Sequence, residues 1–174
     1  MKAMRDVVID TGTASLLQRR QAPPSVLRHL AGARIWLTFV TVGELADWAV
    51  RRRWDETRRG RLDAWTAGRP VIPFDTRIAR LWGELAGQAQ LRGRPRPQNH
   101  AWIAACCLRY QLPLVTVHPA DFCDFGRFHG LTLLGDRALT PKGGAGAGPG
   151  QDGRGDQGHG DRGQSGGEQG AASA

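Results

Sequence analysis

Val7-Val8-Ile9-Asp10-Thr11-Gly12-Thr13 decides how this chain is read. Three β-branched apolar residues stop at an acid and a polar, glycine-containing turn, as a buried strand does on leaving a sheet. A helical turn or two over 14–20 follows. Gln21-Ala22-Pro23-Pro24 breaks it, and Ser25 is placed to cap a short helix to Leu30. The pattern then repeats. Ile35-Trp36-Leu37-Thr38-Phe39-Val40 predicts a second strand, and Thr41-Val42-Gly43-Glu44 opens a helix with Val42, Leu45, Ala46 and Ala49 at helical spacing. A helix over 55–67 precedes a third strand, Val71-Ile72-Pro73-Phe74. Asp75 caps the next helix, whose Ile78, Leu81, Trp82, Leu85 and Ala89 form one inward stripe. Residues 98–110 are apolar nearly all round, which predicts a buried helix. Leu114-Val115-Thr116-Val117 is a fourth strand, Asp121-Phe122 starts a turn or short helix, and Leu131-Thr132-Leu133-Leu134 is a fifth strand. Short apolar strands alternating with helices make a parallel α/β sheet covered on both faces.

The 174-residue chain carries a formal charge of +8, divided unevenly: residues 142–174 sum to −1 and the rest to +9. That last segment holds 13 of the 24 glycines and no Leu, Ile, Val, Phe, Trp or Tyr. Such a composition cannot offset chain entropy by burial, so the expected organisation is a domain over 1–141 and a disordered low-complexity tail over 142–174. No apolar run is long enough to span a membrane, and only three apolar residues separate the first charges from Asp10, which predicts no signal-peptide core. The cysteines, Cys106, Cys107 and Cys123, are odd in number and make no Cys-x-x-Cys, which suits the cytoplasm. The 22 arginines against 2 lysines suit a polyanionic partner, although a coding bias toward Arg, Ala and Gly explains them equally well. Glycine signatures for dinucleotides, the P-loop and the hydrolase nucleophile elbow are missing.

Ligands of open α/β sheets sit beyond the carboxyl ends of the strands. Asp10 follows the first strand, Glu44 lies a helical turn beyond the second, and Asp121 lies a few residues beyond the fourth. Converging carboxylates repel unless a cation joins them, and hard oxygen ligands select Mg²⁺ or Mn²⁺. In a basic protein this points to metal-assisted phosphodiester hydrolysis. Each acid also has a plainer reading. Asp10 and Asp121 suit helix caps, and Thr41-x-x-Glu44 is a capping box as written.

Longer strings separate these readings. Val8-Ile9-Asp10-Thr11, Thr41-Val42-Gly43-Glu44-Leu45, the run from Arg94 through Asn99-His100-Ala101-Trp102-Ile103-Ala104-Ala105 to Cys106, and the run from Leu112 through Thr116-Val117-His118 to Asp121-Phe122 occur in one order. Together they resemble PIN-domain proteins of the VapC type, the toxins of toxin–antitoxin pairs, over nearly all of residues 5–135. The resemblance implies a three-layer α/β/α fold with a central, mostly parallel sheet, a homodimer, a cognate antitoxin, and metal-dependent (Mg²⁺ or Mn²⁺) endoribonuclease activity. It places the family's first two acids at Asp10 and Glu44 and a later one at Asp121. Thr11, Asn99 and Thr116 become supporting hydrogen-bonding residues. The family's third acid follows Asn in its motif, and here that residue is His100. His118 stands where Asp or Asn is usual. Two imidazoles suit a mixed His/carboxylate site for a softer ion, or mark a decayed site on a fold kept for binding its partner. Arg92, Arg94 and Arg96 lie just before the site helix and are candidates for RNA contact. Trp82 and Trp102 are expected in the core or at an interface. Trp48 and Trp54, beside Arg51-Arg52-Arg53, are expected on a partner surface.

Overall fold

The computed structural model describes residues 4–135; the glycine-rich segment over 142–174 lies outside them. Five strands form one sheet: β1 (Arg5–Ile9), β2 (Ala33–Thr38), β3 (Val71–Ile72), β4 (Leu114–Val115) and β5 (Leu133–Leu134). Their order is β3-β2-β1-β4-β5, and every pairing is parallel. Seven described helices cover the sheet: α1 (Thr11–Gln18), α2 (Pro24–Leu30), α3 (Phe39–Arg51), α4 (Glu56–Ala67), α5 (Thr76–Leu91), α6 (Gln98–Tyr110) and α7 (Pro119–His129).

The period-two alternation of β1 divides the interior into two cores. Val7 and Ile9 pack with Ala14, Val26, Leu37, Leu45 and Leu62 on one side. Val8 packs with Ile78, Leu85, Ile103, Leu114 and Phe122 on the other. All three β1 residues are fully buried, as the centre of a sheet sandwiched between helical layers requires.

Several element boundaries differ from expectation, each for a local reason. β2 ends at Thr38, because the Thr38 side chain accepts the Thr41 N–H at 3.1 Å and caps α3 there. Phe39 and Val40 are therefore helical. Thr41 is not a cap, so the capping-box reading of Glu44 fails and its carboxylate is left for the site. Pro23 and Pro24, not Ser25, open α2, with Pro24 at the first helical turn. Pro73 has no N–H to give the ladder, and β3 stops before it. The Thr116 N–H still donates to Leu134 O at 3.3 Å, and the chain then leaves the ladder because side chains take the next amides: the Val117 N–H donates to Thr13 Oγ1 at 3.1 Å and the His118 N–H to Thr116 Oγ1 at 2.9 Å. The expected short turn at Asp121 is the first turn of the eleven-residue α7.

Candidate active site

Sheet order changes direction at β1, with β2 on one side and β4 on the other. This is the switch point where an open α/β sheet leaves a crevice. Asp10 ends β1 there. It caps α1, accepting the Thr13 N–H at 3.1 Å on Oδ1. Its other oxygen, Oδ2, accepts the Thr116 hydroxyl from the end of β4 at 3.1 Å. Capping is thus only half of what this carboxylate does. Asp10 is 5% exposed. Burial pushes its carboxyl up from the ordinary range, against the hydrogen bonds from Thr13 and Thr116 and the nearby His118 charge. A cation beside it would oppose that shift.

Glu44 reaches the same edge from the second turn of α3. Its Oε1 accepts the Asn99 amide N–H at 2.6 Å and its Oε2 accepts the Thr11 hydroxyl. Asn99 belongs to the first turn of α6 and Thr11 to that of α1, so three helices meet on one carboxylate. Gly12 explains how close the parts lie. A Cβ at that residue would be 3.3 Å from both Asp10 Oδ2 and His118 Cδ2. The His118 ring therefore stands across Gly12 from Asp10. An open cleft of about 460 Å³ lies over Glu44, with Thr11, Ser15, Asp47, Trp48 and Asn99 in its walls.

The remaining expected residues are placed differently. The His100 ring packs against Phe122, centroids 4.9 Å apart, and its buried Nδ1 has no hydrogen-bond partner. Asp121 lies half-buried in the first turn of α7. Among the described residues no three His, Cys, Asp or Glu side chains gather closely enough to hold one ion. The chemistry of Asp10 and Glu44 fits a hard divalent ion, since both are oxygen ligands oriented by neighbouring donors. The imidazole at His100 does not extend that set.

Arg96 is half-buried, and its guanidinium donates twice to Asp124 Oδ2, with Nε at 3.0 Å. Arg92 lies over Phe128 at 4.4 Å and 3.3 Å from His129 Nε2. Only Arg94 of the three is exposed. Trp82 and Trp102 stack at 4.6 Å against the second core, as expected. Trp54 is 8% exposed and Trp48 is half-buried, and both line an open cleft. Asp124 and Asp47 escaped the sequence reading. Asp47 had a signal, because it lies three residues after Glu44 and so shares its helix face.

The PIN domain family profile matches residues 7–126, and the chain belongs to that family. The fold is also that of chains in the VapBC2 complex from Rickettsia felis bound to a promoter DNA fragment (TM-score 0.62, 20% identity) and in VapBC-1 from nontypeable Haemophilus influenzae (TM-score 0.62, 22% identity). A chain of FitAcB from Neisseria gonorrhoeae superposes with a TM-score of 0.59 at 22% identity. In each case the match covers 74% of this chain and 96% of the other. No curated protein sequence matches the chain.

Proposed function

We propose that this PIN-domain protein is a toxin-type endoribonuclease of the VapC kind, dependent on a divalent metal and neutralised by a cognate antitoxin. The observation that carries this reading is the pair Asp10 and Glu44, set at the switch point and oriented by Thr13, Thr116, Thr11 and Asn99. Asp10 and Glu44 would hold Mg²⁺ or Mn²⁺, and Asp121, expected as a third ligand, would have to move toward them to join, since no three such side chains gather around one point among the described residues. The ion's contribution is to polarise the phosphate and make a bound water acidic enough to attack. Thr116 and the Thr13 amide hold Asp10 in one orientation, and Thr11 and Asn99 do the same for Glu44. His118, exposed beside Asp10, is placed to donate to a phosphate oxygen or a leaving group. The assembled relatives support the antitoxin partner: the matched structures are described as VapBC complexes. Self-association into a homodimer is supported by an aromatic face on which Phe74, 59% exposed, packs edge-on against Phe39 beside the Trp82–Trp102 stack. No described helix is long and apolar enough to cross a membrane, and we place the protein in the cytoplasm.

Purified chain incubated with end-labelled RNA and Mg²⁺, Mn²⁺ or EDTA tests the reading. Cleavage should require metal and disappear in Asp10→Asn and Glu44→Gln. A second reading is a PIN-fold protein that binds its antitoxin or RNA without cutting. His100 favours it, since the residue at the family's third acid packs on Phe122 and offers no carboxylate. Metal-independent RNA or antitoxin binding with no cleavage in any metal would establish that alternative.

A further inference from the structure

A second cleft, of about 660 Å³, opens beside the one over Glu44, and Trp48 lines both. Its walls come from the end of α1, the end of α3 and the start of α4. They carry Arg19, Arg52, Arg58 and Arg61, with Trp48 and Trp54 between them and no carboxylate among the lining residues. The two indoles meet edge-on, centroids 4.7 Å apart. Arg19 and Arg52 lie over Trp48, at 5.6 and 5.1 Å from its centroid, and Arg58 lies over Trp54 at 4.9 Å.

We propose that this arginine cleft binds the phosphates of single-stranded RNA flanking the phosphate seated at Asp10 and Glu44. The inference rests on the RNA-cleaving reading above and extends it to a substrate-gripping subsite. Two carboxylates at the reaction centre repel a phosphate, so affinity must come from cationic groups along the neighbouring strand. The cleft gathers four such groups around two indoles with no carboxylate in its walls. Arg34, Arg51 and Arg96 are engaged by Asp6, Asp47 and Asp124. None of the four cleft arginines forms an ion pair among the described residues. Stacking on indoles holds three of these guanidiniums in place before a ligand arrives, which lowers the ordering cost of each contact. It also distinguishes the occupant. A peptide seeks an open apolar pocket for a side-chain anchor. Here guanidiniums cover the indole faces, leaving planes that stack on bases and N–H forks that match phosphate oxygens. Trp48 provides continuity, since a strand leaving the Glu44 cleft across it enters the arginine cleft directly.

The test is equilibrium binding of a fluorescein-labelled oligouridine, about a dozen nucleotides long, to the full chain in EDTA, so that cleavage plays no part. The variants are Arg52→Gln/Arg58→Gln/Arg61→Gln, the same three changed to Lys, and a control, Arg77→Gln/Arg80→Gln, on the exposed side of α5. Circular dichroism and thermal midpoints check that each folds. The Gln variant should lose at least tenfold in affinity at ~0.1 M salt, and its log K against log salt slope should fall by about 2, at ~0.7 per single-strand phosphate contact. The Lys variant should retain most of the slope and the control should match wild type. If wild type binds oligouridine and the Gln variant binds with the same affinity and slope, the cleft proposal fails while the nuclease reading stands. If wild type does not bind oligouridine, the cleft proposal fails, and cleavage of RNA with Mg²⁺ or Mn²⁺ decides the nuclease reading separately. Tighter, cleft-dependent binding of a labelled oligoglutamate peptide than of the RNA would overturn the proposal in favour of an acidic protein segment.

Discussion

Thr116 serves both carboxylate and backbone: its hydroxyl donates to Asp10 Oδ2 and accepts the His118 N–H. Thr116→Val keeps the shape and removes both bonds, leaving a buried carboxylate oxygen without its donor. A loss of about 1–3 kcal/mol is expected, read as a lower urea midpoint at unchanged slope. Metal-dependent cleavage should fall with it, since Asp10 loses its orientation. At residue 100 the expectation runs the other way. His100→Asp gives up packing on Phe122 but restores a hard oxygen at the family's acid position. Cleavage with Mg²⁺ should rise by one to two orders of magnitude, or about 1.4–2.8 kcal/mol of transition-state stabilisation, and any preference for Mn²⁺ should shrink. Unchanged rates and unchanged Mg²⁺ binding would show that residue 100 faces away from the ion.

Among the elements, α6 starts without a side-chain cap, as α2 and α7 do, and Pro97 precedes it. The loop before it is instead tied to α7 by Arg96 on Asp124, whose carboxylate is largely buried. Asp124→Ala leaves a mostly buried guanidinium without its partner. Breaking a fully buried pair costs about 3–5 kcal/mol, and the residual exposure of Arg96 brings the expectation to about 2. The same pair gives a pH signature. The Arg96 guanidinium holds the Asp124 carboxyl below the ordinary carboxylate range. An acid depressed on folding stabilises fully above its unfolded pKa of about 3.9, and that stabilisation is lost as pH falls through the lower folded value. Midpoints measured through that acid range should therefore drop less steeply in Asp124→Asn than in wild type. At the other end of α6, Gln111 sits at φ +54°, a left-handed conformation that costs a residue with a Cβ about 1–2 kcal/mol. Gln111→Gly should raise the thermal midpoint by a few degrees, less the chain entropy that glycine adds to the unfolded state.

At the scale of the whole molecule, the aromatic face and the glycine-rich segment make separable expectations. Phe74→Glu places a charge on the exposed end of the Phe39–Phe74–Trp102 cluster. If that face joins two copies, sedimentation velocity should shift from dimer to monomer without loss of fold. Deleting 143–174 removes no large apolar residue, so the thermal midpoint should stay within about a degree or two. A larger fall would mean that the segment packs on the domain.

Hydrophobic period and punctuation are local properties, and they were enough to place the strands, the helix over 98–110 and an acid at the end of the first strand. Places beyond strand ends also marked Glu44 and Asp121, and motif order added Asn99 and Thr116 as candidates. Boundaries were less legible where a side chain competes for a backbone group, as Thr38 and Thr116 do. Which acids meet which donors could not be read along the chain, because it depends on strand order. Only β3-β2-β1-β4-β5 brings Thr116 to Asp10 across 106 residues and Asn99 to Glu44 across 55. The packing of α6 on α7 likewise turned His100 toward Phe122, and burial in the sheet's first core covered Trp54. Periodicity along the chain determined which segments would be buried; non-local pairing and packing decided which of their polar groups would face one another.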